Sequence, residues 1–251
     1  MTPEQLLILL PAFFALAALY TSVGHAGASG YLATMALVAV APATMRPTAL
    51  ALNILVAIFT TWRFWKAGYF NWRALWPFLV GSVPLAALGG ALRLSAGLYF
   101  VLAGIALALS AVILGWRAWG GPPAENPGQK AQVPLAPAVV LGALIGLLSG
   151  LTGTGGGIFL SPVVLLAGWA GPRHTGGITA PFILANSTVA LAAGTATWAA
   201  LPEELPWLIV AVLAGAVAGT WLGLQRLSTR WLLAAMALVL TIAAAKLILT
   251  A

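Results

Sequence analysis

Two long apolar runs of this chain are each broken once, by glycine. The first break is Gly24-His25-Ala26-Gly27-Ala28-Ser29-Gly30, and the second is Gly150-Leu151-Thr152-Gly153-Thr154-Gly155-Gly156-Gly157. Gly24 aligns with Gly150, Gly27 with Gly153 and Gly30 with Gly156. Glycine adopts backbone angles that other residues avoid, and its missing side chain lets a ligand approach the main chain. Broken backbone at membrane depth is tolerated only inside protein or beside a water-filled cavity. Two such breaks at corresponding places point to the binding site of a membrane carrier.

Composition decides that these runs lie in a bilayer. The 251 residues are 62% hydrophobic and 6% charged, with a mean hydropathy of +1.04. A soluble domain carries about 25% charged residues. The runs have the length of helices rather than barrel strands. Met1 to Leu10 holds no Lys or Arg, so it reads as the arm of a first membrane helix, not as a signal peptide. The most polar stretch is Gly120 to Gln132, so no soluble domain is expected. The absence of cysteine excludes disulfides and thiol chemistry. The net charge of +7 reports topology through basic cytoplasmic loops, not nucleic-acid binding.

The chain reads as two halves in the same order. The first has segments a (Glu4 to Ser22), b (Tyr31 to Ala43), c (Pro47 to Trp65), d (Trp72 to Leu92) and e (Ala96 to Trp116). The second has a′ (Pro134 to Ser149), b′ (Ile158 to Trp169), c′ (His174 to Ala200), d′ (Leu205 to Leu224) and e′ (Thr229 to Leu249). The expected units are a first repeat over 1–119, a linker over 120–133 dense in Gly and Pro, and a second repeat over 134–251. Arg46-Pro47-Thr48 aligns with Arg173-His174-Thr175, Asn53 with Asn186, and Gly90 to Ser95 with Gly223 to Ser228. Ser82, Ala86 and Gly90, like Gly215, Gly219 and Gly223, form small-residue stripes that let membrane helices pack closely.

Segments b and b′ are too short to span. Each a–b pair is therefore one broken crossing or a re-entrant hairpin, and charge discriminates. With the c–d connection inside, the hairpin puts Arg63, Lys66, Arg73, Arg117, Lys130, Arg173, Arg226 and Arg230 inside, against Arg46, Arg93 and Lys246 outside. The broken crossing moves Arg173, Arg226 and Arg230 outside. The positive-inside rule favours the hairpin. The expected fold class is an all-α polytopic membrane protein, an inverted repeat. Each half is a glycine-tipped re-entrant or broken-helix hairpin plus three transmembrane helices, with six full crossings and both termini outside. The two tips would enter from opposite faces and meet near the midplane.

The expected site follows from the tips. Helix N-termini present free N–H groups and partial positive charge, which suit anions. The candidates for binding substrate are Gly24, His25, Gly27, Ser29, Gly30, Asn53, Thr152, Gly153, Thr154, Gly155, Gly156 and Asn186. Asn53 and Asn186 serve either as site walls or as polar glue between helices. His25 would donate to an oxyanion or sit as a satisfied structural histidine. Arg46 and Arg173 would draw anions to the two mouths or snorkel from helix ends. The only acids are Glu4, Glu125, Glu203 and Glu204, none inside a span, which argues against a cation carrier. No nucleotide motif, cofactor or metal site is expected.

Ser149-Gly150-Leu151-Thr152-Gly153-Thr154-Gly155-Gly156-Gly157-Ile158-Phe159-Leu160-Ser161-Pro162, together with the duplicated layout, resembles the TauE/SafE family of sulfite exporters and permeases. The resemblance covers nearly the whole chain. It implies export of sulfite or a small sulfur-containing organic anion such as sulfoacetate across the cytoplasmic membrane. The partners would be that anion and the lipid bilayer. A homodimer is compatible with the apolar surface, and nucleic acid is not a partner. One alternative is an anion channel. Another is an intramembrane serine protease of the rhomboid type, since Gly27-Ala28-Ser29-Gly30 fits the GxSG motif and His174 is the only downstream histidine.

Overall fold

The computed structural model describes residues 1–92, 94–120, 133–194 and 200–225, and scattered residues between 234 and 249. Among them are nine continuous helices and no strand. The helices are α1 (Pro3–Ser22), α2 (Ala28–Leu37), α3 (Pro42–Lys66), α4 (Trp72–Ala91), α5 (Ala96–Gly120), α6 (Leu135–Thr152), α7 (Gly157–Leu166), α8 (Pro172–Ala193) and α9 (Leu205–Gln225). All except α2 and α7 are long and apolar enough to cross a membrane. The chain is thus an all-α, multi-pass membrane protein. The linker, Arg93 and most of segment e′ lie outside the described residues, and so do Lys130, Arg226, Arg230 and Lys246 of the charge comparison.

The first glycine break makes a hairpin. Gln5 Nε2 donates to the Val38 carbonyl (3.0 Å), the Phe13 and Tyr31 rings lie 4.7 Å apart, and the Tyr20 and Ser29 hydroxyls share a 2.8 Å hydrogen bond. One set of partners rises in number as the other falls, so α2 folds back along α1. The outward arms have close to the expected length. α1 and α6 have 20 and 18 residues, enough to cross a hydrocarbon core of about 30 Å. The return arms α2 and α7 have ten residues each, about 15 Å of helix. Each glycine break is thus flanked by one full-length arm and one half-length arm.

The boundaries differ in instructive ways. Segment c was placed from Pro47, but α3 begins at Pro42, and Pro47 lies inside the helix. Either proline suits a helix start. Segment b was carried to Ala43, but α2 ends at Leu37, followed by Ala39 at φ 57°. Gly168, at φ 66°, makes the same turn after α7. Segment c′ was carried to Ala200, but α8 ends at Ala193.

Small residues set the packing. A Cβ on Gly142, Gly146 or Gly150 of α6 would run into the carbonyls of Phe78, Ser82 and Ala86 on α4. Cβ atoms on Gly215 and Gly219 of α9 would meet the carbonyls of Phe14 and Ala18 on α1. Both sets of contacts rise together in number, so each pair of helices runs parallel at backbone contact. The first arm of each half lies along the fourth segment of the other half. At the centre, α3 crosses α8 with the opposite sense. Leu50 packs with Ala190 and Leu191, Asn53 bonds Ser187, and Phe64 meets Gly176. α2 and α7 are enclosed by this frame, with almost every residue buried.

Charge is sorted by end. The connection after α3 carries Lys66 and Arg73, and Arg173 donates to the Tyr69 hydroxyl there (3.0 Å). At the other end the Met1 ammonium pairs with Glu204 (2.9 Å). Its hydrogen bond holds that carboxyl below the usual carboxylate range.

Candidate functional site

The two glycine tips meet inside the protein, around Asn53. Asn53 stands midway along α3 and is fully buried. Its Oδ1 accepts from the N–H of Ala28, the first residue of α2, at 3.1 Å. Its Nδ2 donates to the Ser187 hydroxyl on α8, also at 3.1 Å. A Cβ on Gly155 of the second tip would collide with Nδ2 and stand 3.1 Å from Ser187 Oγ. One carboxamide therefore touches both tips and ties α3 to α8. An amide at this depth needs partners, and here it has them from α2 and α8.

Backbone geometry shows which glycines correspond. Gly24 and Gly153 have φ of 82° and 81°, and the helix-capping Gly27 and Gly156 have φ of 107° and 78°. By backbone conformation Gly24 goes with Gly153 and Gly27 with Gly156, which differs from the expected alignment of Gly24 with Gly150 by letter. Gly150 is a helical residue whose missing side chain serves contact with α4. Ala28 and Gly157, the first helical residues, correspond in the same register.

The rest of the first tip faces inward on its own hairpin. His25 is 4% exposed, with Nδ1 3.3 Å from the Val23 carbonyl and its ring edge-on to Tyr20. The Ser29 hydroxyl bonds Tyr20, and Gly30 packs on Leu16 and Tyr20. Gly24 lies against the backbone of Gly176 on α8. His174 stands edge-on to Tyr69, with ring centroids 5.3 Å apart.

The second tip has different surroundings. A Cβ on Gly153 would be 3.0 Å from Arg46 Cγ. Arg46 is 8% exposed, and its terminal nitrogens donate to the carbonyls of Gly89 (2.8 Å), Gly90 (2.6 Å) and Leu92 (3.1 Å). It thereby caps the C-terminus of α4, where carbonyls lack partners and the helix dipole is negative. The Thr152 and Thr154 hydroxyls pair at 3.1 Å, and the Tyr99 hydroxyl donates to the Thr152 carbonyl (3.3 Å). Asn186 donates to the Phe182 carbonyl (2.8 Å) and does not face Asn53. Ser187 does. A Cβ on Gly157 would meet Ile183 and Thr179 of the same α8 helix. Arg173 lies at the charged end beside Tyr69, away from both tips.

Ser187, Ser149 and Tyr99 were not found by sequence reasoning. Ser187 follows the selected Asn186 directly, and the extra residues of the second half shift the register at that point. Tyr99 sits in an otherwise plain apolar helix, where nothing marks its hydroxyl.

The arrangement can hold a small group with hydrogen-bond acceptors. It offers main-chain N–H groups at two half-helix starts, several hydroxyls and an amide, with no carboxylate among the described residues nearby.

A family model described as Sulfite exporter TauE/SafE matches residues 9–247. The probable membrane transporter protein y4hK of Sinorhizobium fredii is 41% identical over 237 residues, covering 94% of this chain and 96% of the relative. No solved structure matches the chain. By the extent of both matches, this chain belongs to the TauE/SafE family of membrane transporters.

Proposed function

We propose that this membrane transporter is a secondary permease of the cytoplasmic membrane that exports a small oxyanion, sulfite or a sulfur-containing organic anion such as sulfoacetate. The observation that carries the reading is the meeting of two half-helix N-termini, α2 and α7, at Asn53. Two partial positive ends brought together inside protein favour an anion between them. The substrate oxygens would lie among the tip glycines Gly24, Gly27, Gly30, Gly153, Gly155 and Gly156, with His25, Ser29, Thr152, Thr154, Asn53 and Asn186 around them. Arg46 and Arg173 would set the potential at the two mouths. The sulfur class comes from the family description.

Alternating access would move one repeat against the other. Parallel packing of α1 with α9 and α4 with α6, and the antiparallel crossing of α3 and α8, support an inverted repeat. With the Lys66–Arg73 connection inside, basic residues gather on the cytoplasmic face. The buried tips correspond to an occluded state.

The test is flux in liposomes holding purified protein. Sulfite or sulfoacetate should move saturably, without competition from chloride. Failure of sulfite, sulfoacetate, sulfate and chloride alike, with folded protein, would break the link to sulfur anions. Currents far above carrier turnover would favour a channel instead.

A further inference from the structure

The two tips are related by the repeat, yet they are not equivalent. At the first, the N–H of Ala28 is already taken by Asn53 Oδ1, Gly24 rests on the uncharged backbone of Gly176, and the Ser29 hydroxyl is turned to Tyr20. At the second, as at the first, the capping residue is a glycine with no side chain to offer, and the first N–H groups of α7 have no partner within the helix. A Cβ on Gly157 would meet Ile183 and Thr179. Two further observations point to a ligand there. The Ser149 hydroxyl is fully buried without a partner, and its Cβ is 3.3 Å from where a Cβ on Gly156 would stand. Arg46 lies against Gly153, and its Nε is buried without a partner.

From this we infer that the anion site is one-sided. The anionic group is held at the start of α7 by its free N–H groups and by the Ser149 hydroxyl, under the charge of Arg46. At the start of α2, the Asn53 oxygen stands in for a substrate oxygen. This rests on the permease reading and narrows it to one monoanionic head group per chain. The physical reason is that a buried hydroxyl without a partner carries a desolvation cost that a ligand would relieve. The Arg46 terminal nitrogens are already met by the Gly89, Gly90 and Leu92 carbonyls, so the guanidinium adds positive potential near the tip and leaves only Nε without a partner. At the second tip a ligand would relieve the Ser149 hydroxyl.

Ser149→Ala tests the assignment, with Ser110→Ala as control. Ser110 lies on α5, and its hydroxyl is satisfied by the Ala106 carbonyl. Ser149→Ala should melt at the wild-type temperature, because no hydrogen bond is lost. Its KM for sulfite should rise about five-fold, the worth of one hydrogen bond, and the thermal shift that sulfite gives the wild type should shrink. Ser110→Ala should keep the wild-type KM. A wild type that moves sulfite beside a Ser149→Ala with unchanged KM and unchanged sulfite shift overturns the one-sided site alone. A wild type that moves no sulfur oxyanion overturns the permease reading instead.

Discussion

Asn53 concentrates the account in a single side chain. It caps one half-helix, touches the other tip and joins α3 to α8 through Ser187. Asn53→Ala leaves the Ala28 N–H and the Ser187 hydroxyl without their partner, which should cost about 1–3 kcal/mol of stability and abolish transport. Because Asn53 and Ser187 share one bond, Asn53→Ala and Ser187→Ala should not add in the double variant. The expected coupling is about 0.6 kcal/mol or more, read from thermal or denaturant unfolding in detergent, and strict additivity would remove the contact. Asn53 was legible in the sequence because a lone amide in an apolar run stands out. Ser187 was not, because a serine in a membrane helix usually bonds its own backbone.

At the scale of the element, glycine plays two parts that one letter does not distinguish. Gly153, Gly155 and Gly156 turn the chain with positive φ, whereas Gly142, Gly146 and Gly150 lie in α6 and bring α4 to backbone contact. This is why the breaks were legible while the register between them was misplaced. Gly150 matches Gly24 by letter, and Gly153 matches it by conformation. The end of α2 was missed for the converse reason, since Ala39 turns the chain without a glycine. The stripe supplies a clean prediction. Gly146→Leu would push a side chain into the Ser82 carbonyl, an obstacle that cannot rotate away. Overpacking costs about 1–3 kcal/mol where neighbours yield. Here the backbone is the neighbour, so the variant should lose thermal stability, or fail to fold, before any change in KM is seen. A Gly146→Leu protein with wild-type melting behaviour would place α4 farther from α6 than the structure does.

For the whole molecule, the all-helical apolar architecture and the order of the described segments were readable from periodicity and chain breaks. What could not be read was which helices pair. Nothing in α1 names α9 as its neighbour, because small-residue stripes occur on several helices and any two would fit. The exchange of arms between the halves has a mechanical meaning. Each glycine tip rests against the opening turns of the other half's long helix, Gly24 on Gly176 and Gly153 on Arg46. These contacts tie each tip to a long helix of the other half.

The central claim is that the tips are the transport site, reached from each side in turn. The chain has no cysteine, so one thiol introduced by Thr154→Cys reports on that place alone. In liposomes where this variant still transports, an impermeant thiol reagent is applied from one face and then the other. Sulfoacetate is the competing anion, because sulfite would consume the reagent. The account predicts labelling from both faces, slowed by sulfoacetate and indifferent to chloride. Labelling that sulfoacetate leaves unchanged, in vesicles that carry it, would put the transported anion somewhere else.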